Sequence, residues 1–364
     1  MSTIAGRSFS KIFAAEAGLM PVNVKKPLLK NIALLAAFCT AGCVQPVLAG
    51  PQQQNAQGHG KFEFALIGDV PYNEVDFWKL DNVIAEINAD QQLKWVLHAG
   101  DIKNGSTLCS DEMFLDRLQR FSSFKKPFIL TPGDNEWTDC HRANNGGYQP
   151  LERLSKLREV FYPLPGQTLG RKTMRVETQA DDAQYAEFVE NVRWKEQNVM
   201  FATLHIVGSN NALANFAGRT AADNEEVVRR IEAARAWIGE TFAKATAENA
   251  RGVLLMFQAN PGFELAKGNS GRRGFEEILA DLEREIVDFK KPVALVHGDS
   301  HYFRVDKPML GAISKRRIEN ATRIETFGAD DVHWLRVEVD PNSAEVFSVH
   351  QEIVETNLEQ HPQP

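Results

Sequence analysis

Residues 128–140 read FILTPGDNEWTDC. A short apolar run stops at Gly133-Asp134, and the same event occurs twice upstream, where FALIGD closes at Asp69 and WVLHAGD at Asp101. The three aspartates stand 32 and then 33 residues apart. Between the runs, 76–87 and 111–121 have helical character, so the order is strand, helix, strand, helix, strand. Continuous apolar runs that alternate with helices are strands of a helix-covered sheet.

The second half repeats the rhythm. MFATLHIVGSN (200–210), VLLMFQANPG (253–262) and VALVHGDSH (293–301) read as strands, with helices expected over 224–245 and 274–288. The lead-ins FKKPFILTPGD (124–134) and FKKPVALVHGD (289–299) both place a glycine six positions after the proline. HWLRVEVDP (333–341) and EVFSVHQEI (345–353) alternate like a terminal hairpin without chemistry of its own.

In such sheets the chain turns at the C-terminal strand ends, and ligands gather there. Asp69, Asp101, Asp134 and Asp299 are therefore expected to converge, with Ser209-Asn210-Asn211 and Gln258-Ala259-Asn260 at the remaining strand ends. One Gly-Asp after a strand is usually only a turn. Four at this spacing are harder to dismiss, and clustered carboxylates repel unless something neutralises them. An oxygen-rich set suits a hard divalent cation that holds and activates water.

This pattern resembles the calcineurin-like metallophosphoesterase superfamily, whose usual series is D-x-H, G-D-x-x-D, G-N-H-E/D, a lone His and G-H-x-H. The resemblance spans roughly 61–350 and implies two packed mixed β-sheets flanked by helices, a four-layer α/β/β/α sandwich with a metal site in the loops after the strands. The first motif is similar to Gly68-Asp69-Val70-Pro71-Tyr72, with Pro71 in place of the histidine and Tyr72 as a further oxygen or a packing ring. The second resembles Gly100-Asp101-Ile102-Lys103-Asn104 and keeps the aspartate that bridges two metals in the family, while Lys103 pairs with carboxylates or holds phosphate. In the third, Asp134 replaces the metal-binding asparagine, Asn135 replaces the catalytic histidine, and Glu136 is retained. Asn135 is able to hydrogen-bond a phosphoryl oxygen but not to deliver a proton near neutral pH. Gln258 or Asn260 occupies the place of the lone histidine. In the last motif Asp299 replaces the first histidine and His301 is kept.

The resemblance implies a metal position from Asp69, Asp101 and His301 and a weaker second one from Asp101, Asp134 and Asp299. With imidazoles lost and carboxylates kept or gained, one or two ions of manganese, magnesium or calcium are expected over zinc or iron. Asp101, Asn135 and His297 are the expected catalytic groups, His297 as a substitute acid or as an ordinary buried histidine. Lys103, Asn135 and Arg304 are expected to bind substrate, although Arg304 equally suits an ion pair with Asp306. His98, His205 and Trp237 read as core. His141 reaches the site or decorates the surface, and Trp137 stacks on substrate or fills a gap.

The chain has 364 residues, 43% hydrophobic and 24% charged, with a formal net charge of −7. An acidic balance gives no electrostatic argument for a nucleic-acid or anionic-membrane partner. Lys25, Lys26 and Lys30 precede an apolar run at 32–41, too short to span a bilayer but suited to a secretory signal, and Val47-Leu48-Ala49 offers a cleavage point. The expected organisation is a signal peptide over 1–49 with Met20 as a possible start, a polar segment over 50–60, one domain over 61–355 and a tail over 356–364. Simple cleavage ranks above lipidation at Cys43. Cys109 and Cys140 then remain in the mature chain, a pair that in the periplasm or outside the cell is expected to form a disulfide.

Two functions follow as expectations. The first is an exported phosphoesterase that hydrolyses phosphate mono- or diesters of a small substrate by attack of metal-bound hydroxide. The second is a catalytically inactive relative that binds metal, phosphate or a protein partner. Neither a G-x-x-x-x-G-K-[ST] loop nor a G-x-S-x-G elbow is present, which leaves nucleotide motors and serine hydrolases without support.

Overall fold

A computed structural model describes residues 60–358. The expected signal peptide, its cleavage point, Cys43 and most of both terminal segments lie outside the described residues. No described helix is long and apolar enough to cross a membrane.

Two mixed sheets form the centre. In chain order the first half contributes β1 (Phe62–Ile67), α1 (Glu74–Ala89), β2 (Leu93–His98), α2 (Asp111–Phe121), β3 (Phe128–Leu130) and α3 (Pro150–Phe161). There follow β4 (Glu177–Thr178), β5 (Val192–Glu196), β6 (Val199–Thr203), the single turn α4 (Gly208–Asn211), α5 (Ala221–Ala247) and β7 (Val253–Met256). The chain ends with α6 (Glu276–Phe289), β8 (Val293–His297), β9 (Arg304–Asp306), β10 (Ala321–Glu325), β11 (Trp334–Val339) and β12 (Phe347–Glu352). One sheet has the order β12-β11-β1-β2-β3 and the other β4-β5-β6-β7-β8-β10-β9. The β1-β2-β3 block is parallel, as is β6-β7-β8-β10, while the hairpin β11-β12 closes the first sheet by antiparallel pairing with β1.

Side chains alternate along each strand, so one run feeds two layers. Phe64 and Leu66 face the second sheet and meet Trp95, Leu97, Phe201, Leu254 and Met256 in the central core. Their neighbours Ala65 and Ile67 face outwards onto Leu80, Val83 and Ile84 of α1 and Met113 of α2. Met200, Leu255 and Leu295 likewise pack against Trp237 of α5 and Leu282 of α6 on the far side of the second sheet. Both faces of the central strands are covered, which explains the unbroken apolar runs and gives the four layers expected.

The observed strands differ from expectation in two ways. MFATLHIVGSN is strand only to Thr203, because Leu204 N still reaches Met256 O at 2.8 Å but Gln258 N and Ala259 N both turn onto Ile206 O at 3.1 Å. The second sheet also gains β4, β5, β9 and β10, which were not anticipated. β4 and β9 are two- and three-residue edge pieces rich in charge, so they carry no hydrophobic period.

Candidate metal centre

The first two strands and β8 end in a glycine followed by an aspartate in the left-handed backbone region, with φ of 55° at Asp69, 55° at Asp101 and 78° at Asp299. Aspartate tolerates that conformation better than most residues. The sharp turn aims each carboxylate into the crevice. Backbone approaches closely here: a Cβ on Gly133 would stand 2.0 Å from Asp101 Oδ1, and one on Gly298 would stand 2.1 Å from Asp69 Oδ2. Gly133, whose Cβ would also lie 2.5 Å from Asp101 N, has no room for a side chain, and one at Gly298 would displace the Asp69 carboxylate.

Carboxylate oxygens of Asp101, Asp134 and Asp299 come within 4.8 Å of one another. These residues follow β2, β3 and β8, so the site draws on both sheets. Gln258, after β7, links two of them by donating through Nε2 to Asp101 Oδ2 at 3.1 Å and Asp299 Oδ1 at 3.2 Å. Asn260 N donates to Asp299 Oδ2 at 2.8 Å, and Ser209 Oγ lies 2.7 Å from Asp134 Oδ2. Three anionic oxygens with neutral oxygen-bearing side chains around them form a hard donor set, which fits a divalent cation of the magnesium, manganese or calcium kind.

Asp69 stands beside this group. Its Oδ1 accepts from Asp299 N at 2.9 Å and lies 3.7 Å from His301 Nε2. The Tyr72 hydroxyl stands between the members of the set Asp69, Asp101 and His301, 3.2 Å from Asp101 Oδ2 and 3.1 Å from His301 Nε2. Tyr72 also packs edge-on against the His301 ring.

Asn135 completes the rim. Its backbone N–H donates to Asp101 Oδ1 at 3.1 Å, and its Nδ2 donates to Asp101 Oδ2 at 2.9 Å and to the Tyr72 hydroxyl at 3.2 Å. Glu136 Oε1 accepts from Gly133 N at 2.6 Å and braces the loop from beneath, while its Oε2 is buried without a hydrogen-bond partner.

Burial dominates the electrostatics. It pushes Asp134 and Asp299 up to about 6 and Glu136 up to about 7, and carries Asp69 and Asp101 well above the usual carboxylate range. Neighbouring carboxylates add to the rise, Asp139 on Asp134 and Asp134 on Asp101. Lys103 is fully buried and donates to Asn104 O at 2.7 Å. Burial lowers its ammonium to about 8, against the pull of Glu136 and Asp101.

The other candidates are placed elsewhere. His297 is buried, with Nδ1 2.8 Å from Gly298 O and its ring stacked on Phe257, and burial lowers it to about 3. Arg304 pairs with Glu325 and lies 3.5 Å from Glu264, whereas Asp306 is held by Arg323. His98 is a satisfied core histidine between Val70 O at 3.0 Å and Gly100 N at 3.2 Å. His205 is buried against Glu190 at 2.6 Å, Trp137 packs on its ring, and Trp237 is in the core. His141 bonds Thr138 O and stacks on Phe216. Cys109 and Cys140 form a disulfide with Cα atoms 5.7 Å apart.

Two residues that sequence reasoning passed over belong to the site. Asp139 is buried, with Oδ1 3.0 Å from Ser209 Oγ, and Arg142 Nη2 lies 2.8 Å from its Oδ2. Both follow the motif in a stretch with no hydrophobic period, and only their nearness to Asp134 in the chain pointed to them.

The sequence profile of the calcineurin-like phosphoesterases matches residues 62–303, from the first residue of β1 to just beyond His301. The chain belongs to this family. No sequence among the curated proteins matches it. Among solved structures the chain is similar to GAP50, the anchor in the inner membrane complex of Plasmodium, at 11% identity and a TM-score of 0.42, covering 81% of this chain and 89% of that one. It is similar to a 5'-nucleotidase from Candida albicans at 12% identity and a TM-score of 0.42, covering 81% of this chain and 52% of the other. A phosphopantetheinyl hydrolase from Mycobacterium tuberculosis shares 13% identity at a TM-score of 0.35, over 74% of this chain and 91% of that one.

Proposed function

We propose that the protein is an exported, divalent-cation-dependent phosphoesterase acting on mono- or diesters of a small substrate. The observation that carries this reading is the convergence of Asp101, Asp134 and Asp299 within 4.8 Å from three separate strand ends. These three would hold the cation, with Asp69 and His301 beside it. When bound, a cation in this set supplies Lewis-acid activation of water and neutralises charge at the phosphoryl group.

The chain's own residues supply the rest. Asn135 holds Asp101 and the Tyr72 hydroxyl through Nδ2 at the rim and would turn that donor to a phosphoryl oxygen when substrate enters, while Gln258 and Ser209 keep the carboxylates in place before the cation arrives. Lys103 offsets the surplus negative charge from below. The Cys109–Cys140 disulfide supports an oxidising compartment, the periplasm or the cell exterior.

A second reading, a relative that binds without turnover, is favoured by one observation. Asn135 stands where the family has its catalytic histidine, and His297 is buried away from it as a neutral ring that burial lowers to about 3. Neither donates a proton to a leaving group near neutral pH.

The deciding experiment measures bound metal by elemental analysis and hydrolysis of aryl phosphate mono- and diesters across a panel of cations. Binding of Mn²⁺ or a similar ion with turnover, both abolished in Asp101→Asn, is the expected result. A protein that carries metal but hydrolyses nothing moves the conclusion to the second reading, and one that takes up no metal removes the hydrolase reading and leaves the second only as phosphate or protein binding.

A further inference from the structure

Two loops beside Asn135 are stapled into a platform. The Cys109–Cys140 bridge joins them, and Cys109 N donates to Asn145 O at 3.0 Å. Asn145 is buried and uses Nδ2 twice, on Gly105 O at 2.9 Å and on Asp139 O at 2.8 Å. The platform sets Arg142 next to Asn135. A Cβ built on Gly105 would meet Arg142 Nη1 at 2.9 Å and Asn135 Oδ1 at 3.2 Å, so both polar ends border the gap that the glycine leaves.

Arg142 is partly committed and partly free. Nη2 is fixed by Asp139 Oδ2 at 2.8 Å and Nη1 touches Gly105 O at 3.3 Å, yet the side chain is 42% exposed. A guanidinium has five N–H donors, so donors remain for a ligand, and Asp139 fixes the plane in which they lie. An anion approaching six clustered carboxylates needs a cation at the mouth. Lys103 is buried and bonded to Asn104 O, and Arg304 is taken up by Glu325 and Glu264, which leaves Arg142 for that task.

We propose that Arg142, held by the stapled loops, binds the non-bridging oxygens of a phosphoryl group presented to the acidic cluster. The inference rests on the phosphoesterase reading for the class of ligand, but not on turnover. It assigns the disulfide a role as well, since the bridge sets the distance between the Gly105 loop and the Arg142 loop.

The test is calorimetric titration of Mn²⁺-loaded protein with inorganic phosphate, with Mn²⁺ affinity measured separately. Arg142→Ala is expected to weaken phosphate by about tenfold or more, the scale of a charge-assisted contact, while Mn²⁺ affinity stays unchanged. Arg142→Lys recovers only part, because an ammonium lacks the planar fork. The double variant Cys109→Ser/Cys140→Ser keeps Arg142 but is expected to bind phosphate more weakly than the wild type. Wild type that binds no phosphate overturns the inference, as does an Arg142→Ala variant that matches wild type or that loses Mn²⁺ and phosphate in parallel. Phosphate bound through Arg142 by a protein that hydrolyses no ester leaves the subsite standing and removes the hydrolase reading instead.

Discussion

Ser209 Oγ reaches Asp134 Oδ2 at 2.7 Å from a backbone turn of the opposite hand to an ordinary helix. Ser209, Asn210, Asn211 and Ala212 have φ of 51°, 56°, 55° and 61°, four consecutive left-handed residues where the fold normally spares one. Such a turn costs roughly 1–2 kcal/mol for each residue that is not glycine, somewhat less for asparagine. It persists because other groups hold it. Fully buried Arg230 donates to Asn211 O at 3.1 Å and also binds the Asn211 side chain, Asn211 Nδ2 reaches Gly274 O at 2.9 Å, and Gly274 N reaches Asn210 Oδ1 at 2.9 Å. The strain therefore sits where a serine hydroxyl has to reach a carboxylate of the candidate metal centre.

Arg230→Met is expected to destabilise the protein by about 3–5 kcal/mol, because it strands Glu226 and releases the turn. Gly274→Ala attacks the turn from the other side, since the new Cβ would lie 2.1 Å from Asn210 O, a backbone atom with no freedom to swing away. Urea unfolding measures both. If either variant unfolds at the wild-type midpoint, the turn does not depend on these braces.

The metal-free protein is expected to lose stability as pH rises from about 4 to about 7. Asp134 and Asp299 at about 6 and Glu136 at about 7 are raised above the values near 4 of an unfolded chain. Raised carboxylates stabilise the fold when protonated; the contribution is whole below the unfolded pKa and is lost as pH passes the folded one. Glu190, lowered to about 2 next to Arg158 and His205, works in the opposite sense and weakens the fold only in strong acid. Mn²⁺ needs the ionised carboxylates, so its stabilising effect is expected to widen over the same interval. Thermal unfolding with and without metal, followed against pH, shows both trends; parallel curves would contradict the assignment of these carboxylates to a metal.

The legible parts of the fold were those written in short local signals. Asp69, Asp101 and Asp299 announced themselves because each follows a glycine at a strand end, where neighbouring groups come too close for a Cβ. Helix α2 was expected at its observed bounds from the helical character of 111–121, and in the structure Ser110 caps it with two acidic residues in its first turn. What stayed hidden depends on distance through space. Nothing in Pro71-Tyr72 says that the tyrosine hydroxyl lies 3.1 Å from His301, 229 residues away. Arg304 shows the converse, a plausible phosphate ligand by position whose charge is consumed by Glu325 across the sheet edge.

Tyr72→Phe tests how many cations the centre holds. Its hydroxyl stands between Asp101 and His301, two of the groups the family pattern implies for one metal position. The wild type is accordingly expected to bind a single Mn²⁺ in the Asp101, Asp134 and Asp299 set. With the hydroxyl removed, the His301 face towards the acidic cluster is left to Asp69, 3.7 Å from Nε2, while the Ala329 backbone still bonds the ring, and the metal content is expected to rise towards two per chain. Elemental analysis after dialysis gives the ratio, and an unchanged single ion would show that Tyr72 is not what keeps the other position closed.

Asn135→His restores the residue type that the family uses for proton transfer. Asn135 Nδ2 is 2.9 Å from Asp101 Oδ2 and 3.2 Å from the Tyr72 hydroxyl, so an imidazole placed there keeps a donor facing Asp101 while gaining a group that titrates near neutral pH. General-acid assistance matters most when the leaving group is a poor one. The rate on an alkyl phosphate ester should therefore rise by about 10²-fold, the lower end for a positioned acid, while an aryl ester with a good leaving group changes little. Mn²⁺ affinity measured in parallel guards against a trivial cause. An equal change on both esters would place residue 135 away from the leaving-group oxygen, and the missing histidine would then not be what limits this protein.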